Sequence, residues 1–87
     1  MKTISKKIEM ICKTDELGIM QPLKFKILGK NGDTQIYEIL RVIKADLEKL
    51  AGNKMMKFEC EIRLNEKPKL CEIKYELDTC KWILFKM

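Results

Sequence analysis

Between Phe58 and Leu64 apolar and charged residues alternate without a break, and between Cys71 and Leu77 they do so again. A chain that changes polarity at every residue satisfies both its faces only as a strand with one dry side and one wet side. The polar segment Asn65-Glu66-Lys67-Pro68 joins the two runs and reads as a turn. After Asp78-Thr79 comes Cys80-Lys81-Trp82-Ile83-Leu84-Phe85, apolar on both parities, which suits a more buried strand. Residues 55–87 are therefore expected to form a three-stranded antiparallel meander. On its wet face Lys57, Glu59, Glu61 and Arg63 are expected to make cross-strand ion pairs with Glu72, Lys74 and Glu76.

The same logic extends to the N-terminal half. Ile4, Ile8, Met10 and Cys12 share one parity of a first strand, with Ile11 as the exception. Thr14-Asp15-Glu16-Leu17-Gly18 is turn-like. Pro22 opens a second strand, where its missing N–H does least harm, and Leu23, Phe25 and Ile27 then alternate with solvent-facing Lys24 and Lys26. Asn31-Gly32 suits the positive φ values of a type I′ hairpin. Gly29-Lys30 has the look of a phosphate-binding loop, but Asn31 stands where that motif needs Ser or Thr.

Residues 35–51 carry two patterns at once. Ile36, Ile39, Leu40, Ile43, Leu47, Leu50 and Ala51 fit a helical stripe, with Gly52 in the position of a helix stop. Ile36 to Ile43 is nevertheless rich in β-branched and aromatic residues, whereas Ala45 to Leu50 consists mostly of helix formers. The reading adopted is a strand to about Ile43, central or bulged, then a short helix near residues 45–51. The alternative is an α+β fold with a longer helix over 36–51. The fold expected is thus mainly β: a six-stranded antiparallel meander closing into a small barrel or curled sheet.

The 87 residues suffice for one domain. Hydrophobic residues at 46% and charged residues at 36% mark a folded chain, and no apolar run approaches the roughly 20 residues of a membrane span. The N-terminus is too short in apolar residues and too charged for a signal-peptide core, so a cytoplasmic location is expected. Cys12, Cys60, Cys71 and Cys80 should then stay reduced. They lack the paired short spacing of a zinc site, and each lies within an apolar pattern, so all four are expected to face the core. Trp82, Tyr37 and Tyr75 are read as core anchors, the two hydroxyls near the rim. The chain has no histidine, and its one serine is Ser5. That removes the commonest general base and every Ser-His or Cys-His nucleophile, so no enzyme and no cofactor is expected.

Pro22 to Ile27, Glu48-Lys49-Leu50-Ala51-Gly52-Asn53, Glu72 to Leu77 and Cys80-Lys81-Trp82 together resemble a family of small uncharacterised proteins of clostridia and related bacteria. The resemblance implies a stand-alone cytoplasmic domain of bacterial origin. It brings no assigned activity and no site residues.

Two functional expectations follow. The net charge of +5 is concentrated in residues 1–44, which hold nine Lys/Arg against five Asp/Glu. Lys24, Lys26, Lys30, Arg41, Lys44 and Lys54 are the candidates for a surface that binds an anionic partner, nucleic acid or an acidic protein. The alternative is a structural or protein-interaction domain that self-associates through a sheet edge or apolar face. On that reading Ile83, Phe85 and Met87 form the face that needs a cover: the short helix, the N-terminal strand or another protomer.

Overall fold

A computed structural model describes residues 1–29 and 31–87. Six strands follow one another: β1 (Thr3–Thr14), β2 (Met20–Leu28), β3 (Thr34–Leu50), β4 (Asn53–Leu64), β5 (Lys67–Glu76) and β6 (Lys81–Lys86). Each pairs antiparallel with the next, and β6 returns to β1, so the meander closes into a barrel. The barrel has two corners. β1 pairs with β6 through Thr3–Ile8 and with β2 through Glu9–Thr14. β3 pairs with β2 through Thr34–Glu38 and with β4 from Ile39 to Leu50.

The alternation in β4 and β5 works as the sequence suggests. Phe58, Cys60 and Ile62 of β4 and Cys71 and Ile73 of β5 are buried. With Phe25, Ile39 and Leu84 they form the core, and Ile4, Ile8, Met10, Met56 and Trp82 pack around it.

The helix expected over residues 45–51, and the longer one over 36–51, are not formed: no helix occurs among the described residues. β3 stays extended to Leu50, and Ala51 and Gly52, with φ of 51° and 85°, make a two-residue turn of the type I′ kind into β4. The strand carries two bulges. Opposite β4, Ile39 faces Ile62 and Arg41 faces Glu61, then Val42 faces Cys60 and Lys44 faces Glu59. Leu40 and Ile43 are the extra residues. Inward positions therefore fall at 39, 42 and 45. Of the residues that suggest a helical stripe only Ile39 is buried, Ile36, Leu40, Ile43, Leu47 and Leu50 being exposed, and pairing with β4 overrides the helix propensity of Ala45 to Leu50.

The turns follow local chemistry. The Asp15 carboxylate accepts from the Leu17 and Ile19 amides, both at 2.9 Å, and Gly18 supplies the positive φ. At Asn31-Gly32 the glycine takes a φ of 81°, but β2 ends at Leu28 and β3 begins at Thr34. The connection is therefore longer than the two-residue hairpin expected there, and the Gly29 amide donates to the Asp33 carbonyl at its base. A second I′-like pair lies at Asn65-Glu66, with φ of 51° and 63°. Pro22 does not open β2. It lies two residues inside the strand, buried, beside the bulged Leu23.

Candidate functional site

The anion-binding candidates are spread over three places. Lys24 and Lys26 project from the outer face of β2, and the Lys26 ammonium lies 2.9 Å from the Glu9 carboxylate. Arg41 and Lys44 stand on the distal half of β3, 3.2 Å from Glu61 and 3.5 Å from Asp46. Lys54 is exposed beside the Ala51-Gly52 turn, with Lys49 opposite it. Lys30 lies outside the described residues. Acidic neighbours thus stand beside three of these bases, and the surface is of mixed sign, not the uniform basic patch that the charge count suggests.

The expected ion pairs between β4 and β5 do not form. The register sets Lys57 against Lys74 and Glu59 against Glu72, like against like. The charges find partners on β3 instead. Lys74 reaches Glu48 at 3.1 Å, Arg41 meets Glu61, and Arg63 approaches Glu38 at 4.0 Å. Alternation specifies which side these residues face, but pairing across the strands depends on register, which the pattern leaves open.

The outward side of β6 gains its cover from a lysine. Ile83 and Phe85 are half-buried, and the Lys74 ammonium sits 3.8 Å from the centre of the Phe85 ring. Met87 does not share that face as expected: the register shift at Phe85 breaks the parity, and Met87 packs against the core. Beside this contact Leu50, Asn53, Met55 and Ile83 line a shallow groove of about 270 Å³. The Lys74–Glu48 pair lies within it and satisfies its own charges.

The cysteines divide. Cys60 and Cys71 are buried and face each other across β4 and β5. A hydrogen bond between the two, and then burial, push the Cys60 thiol well above the ordinary range, so it is a poor nucleophile. Cys12 is half-buried, and Cys80 is exposed in the β5–β6 turn with φ of 58°. The inward position expected for Cys80 is therefore corrected: the strand begins only at Lys81, and Cys80 supplies the left-handed residue that closes the turn. Tyr75 contacts Cys80, and that hydrogen bond, with burial, raises the phenol above its usual value. Trp82 is half-buried between Phe58 and Tyr75, at centroid distances of 5.5 and 4.8 Å. Tyr37 stacks near Phe25 and donates its hydroxyl to Gln35 at the rim.

The feature without a built-in partner is the distal half of β3. Continued by two residues, the β2–β3 register would place Pro22 against Leu40. Pro22 has no N–H to give, and Leu23 and Leu40 are both bulged residues, so the ladder stops at Lys24–Glu38. From Leu40 to Leu50 the backbone is paired with β4 alone among the described residues. Its other edge presents unpaired N–H and C=O groups. Apolar side chains crowd this edge: Ile43 is 43% exposed, Leu47 60% and Leu50 71%. The sequence places Leu47 and Leu50 in a short helix and leaves Ile43 in the strand, so nothing marks them as one edge; the readable signal is Pro22 in the neighbouring strand.

No protein-family model, curated protein or solved structure matches the chain. Among the described residues no helix is long and apolar enough to cross a membrane.

Proposed function

We propose that the chain is a protein-interaction domain whose working surface is the free edge of β3, residues 40–50, and that it binds by accepting an extended strand. The observation that carries this reading is the one-sided ladder of β3 beyond Ile39, lined by exposed Leu40, Ile43, Leu47 and Leu50. Strand addition draws affinity from main-chain hydrogen bonds and selectivity from alternate side chains, and this edge offers both. A binding role without catalysis also agrees with a chain lacking histidine. The basic residues support an anionic partner less well, because Lys26, Arg41 and Lys44 each stand within reach of a carboxylate.

The test is selection of short peptides from a random library against the folded chain, followed by NMR mapping. Selected peptides should be β-prone, should shift the amides of residues 40–50, and should lose binding to an Ile43→Lys/Leu47→Lys variant. Peptides that map to another surface, or bind that variant unchanged, would show the edge is not the working surface. Nucleic-acid binding that weakens steeply with salt would favour the anionic reading instead.

A further inference from the structure

Resting on that reading, we infer that the strand the β3 edge accepts is the same edge of a second copy, paired antiparallel about a two-fold axis at Ala45. Register decides which residues can face each other. A two-fold axis normal to the sheet sets each residue against one on the same face. Lys44, Asp46 and Glu48 alternate on the outward face with inward Ala45, Leu47 and Lys49. Centred on Lys44, Asp46, Glu48 or Lys49, a charged residue would face its own copy. Centred on Leu47, Asp46 would face Glu48 twice. Such like-charge juxtapositions disfavour each of those registers.

Only the Ala45 centre between Lys44 and Lys49 avoids them. There Lys44 faces Asp46 of the second copy, and Asp46 faces its Lys44. Passing over the bulged Ile43, inward Val42 meets Leu47, and passing outward Arg41 meets Glu48. Arg41 is already held by Glu61 at 3.2 Å and Glu48 by Lys74 at 3.1 Å. The cross-copy pair would therefore join two existing ion pairs into a row of alternating sign. Net repulsion does not oppose the contact locally: residues 40–50 hold Arg41, Lys44 and Lys49 against Asp46 and Glu48, although the whole chain is +5.

Among the described residues no other strand pairs with this edge. The Lys44 and Arg41 side chains are 65% and 64% exposed. The two bulges at Leu40 and Ile43 limit how far the new ladder extends, which keeps the assembly to a closed pair: a two-fold contact uses up both edges.

Sedimentation equilibrium of the full chain at moderate salt, where the +5 charges are screened, should show a dimer. Lys44→Glu and Asp46→Lys each place like charges in the facing positions, and each alone should weaken the dimer by about tenfold or more. An equimolar mixture of the two variants should restore it as a heterodimer. In that pair the introduced glutamate of one chain faces the introduced lysine of the other, and the unaltered Asp46 of the first faces the unaltered Lys44 of the second. As a measurement independent of charge, Ala45→Cys in a Cys12→Ser/Cys80→Ser background should cross-link to its own copy under mild oxidation, since facing residues have Cα atoms roughly 4.5–5.5 Å apart. A monomer at all concentrations, a dimer indifferent to both reversals, or no rescue on mixing would overturn the inference. A monomer whose β3 edge still takes selected peptides would leave the strand-addition reading standing; failure of both would remove it as well.

Discussion

The β4–β5 wall and the distal half of β3 are both extended strand and meet opposite fates. β4 is paired along nearly its whole length on both sides, and β5 lies against β4 from Lys67 to Glu76. Cys60, Ile62, Cys71 and Ile73 in that wall are fully buried. Beyond Ile39, β3 is paired on one side only, and its inward-parity Leu47 remains 60% exposed. Alternation tells which way a side chain points. Whether anything lies there to bury it depends on the second ladder, and a single proline in the neighbouring strand helps to end that ladder.

The sharpest way to test the contrast is to truncate one residue from each region. Ile73→Ala should cost about 2–5 kcal/mol, from lost burial plus the cavity left behind. Leu47→Ala should cost at most about 0.5 kcal/mol in dilute protein, because the side chain already sees water. Paired denaturant titrations give both values. Equal losses would mean that the β3 tip is packed as tightly as the wall.

The cysteines divide along the same line and give the next largest effect. Cys71→Ala should destabilise by about 1 kcal/mol, since a small buried side chain is removed. A thiol reagent should label Cys80 rapidly in native protein, Cys12 more slowly, and Cys60 and Cys71 only after unfolding. Fast labelling of all four in the native state would show that the wall opens.

What the sequence conveys, and what it does not, also follows this division. Phe25, Phe58, Ile62 and Ile73 can be placed in the core because strict alternation has one interpretation. The barrel is legible from strands joined by short polar turns. The helix over 45–51 is a misreading because Ala45 to Leu50 are helix formers whose local propensity is overridden by pairing with β4, and because the inserted Leu40 and Ile43 break the alternation that would mark the strand as continuous. Cys80 falls on the wrong side of a strand boundary that the pattern does not mark. The candidate site is hidden for a further reason: a free edge is a property of two strands together. Pro22 is visible, but that its place falls against Leu40 depends on a register that no single strand encodes.

The turn that ends β3 offers a smaller effect of opposite sign. Ala51 adopts φ of 51°, a left-handed conformation that disfavours a residue with a Cβ and no polar group to hold it. Asn followed by Gly is the preferred pair for this turn. Ala51→Asn should therefore stabilise the chain by about 0.5 kcal/mol, measured as a shift in denaturation midpoint at constant slope. A loss of stability would show that this turn is not of the I′ kind.

The smallest effect concerns what holds the β3–β4 tip where apolar burial is lacking. Asn53, just after that turn, donates from Nδ2 to Glu76 Oε2 at 2.9 Å, and the Thr79 hydroxyl donates to Glu76 Oε1. One carboxylate thus ties the β3–β4 tip to the β5–β6 turn. The Thr79 hydrogen bond first, then that from Asn53, lowers the Glu76 pKa below its ordinary value. Both bonds favour the charged form, so the unfolded chain takes up a proton at higher pH than the folded one. The stabilisation from Glu76 is accordingly complete above the unfolded value near 4.5 and is lost as pH falls through the folded value. Because the carboxylate faces solvent, the contribution is small and weakened by salt. Glu76→Gln should lower the thermal midpoint slightly at pH 7, and the difference from the parent chain should shrink to nothing in acid. A difference that stays constant from pH 7 to acid would mean that the tie is not ionic, and that the exposed tip is held by its backbone alone.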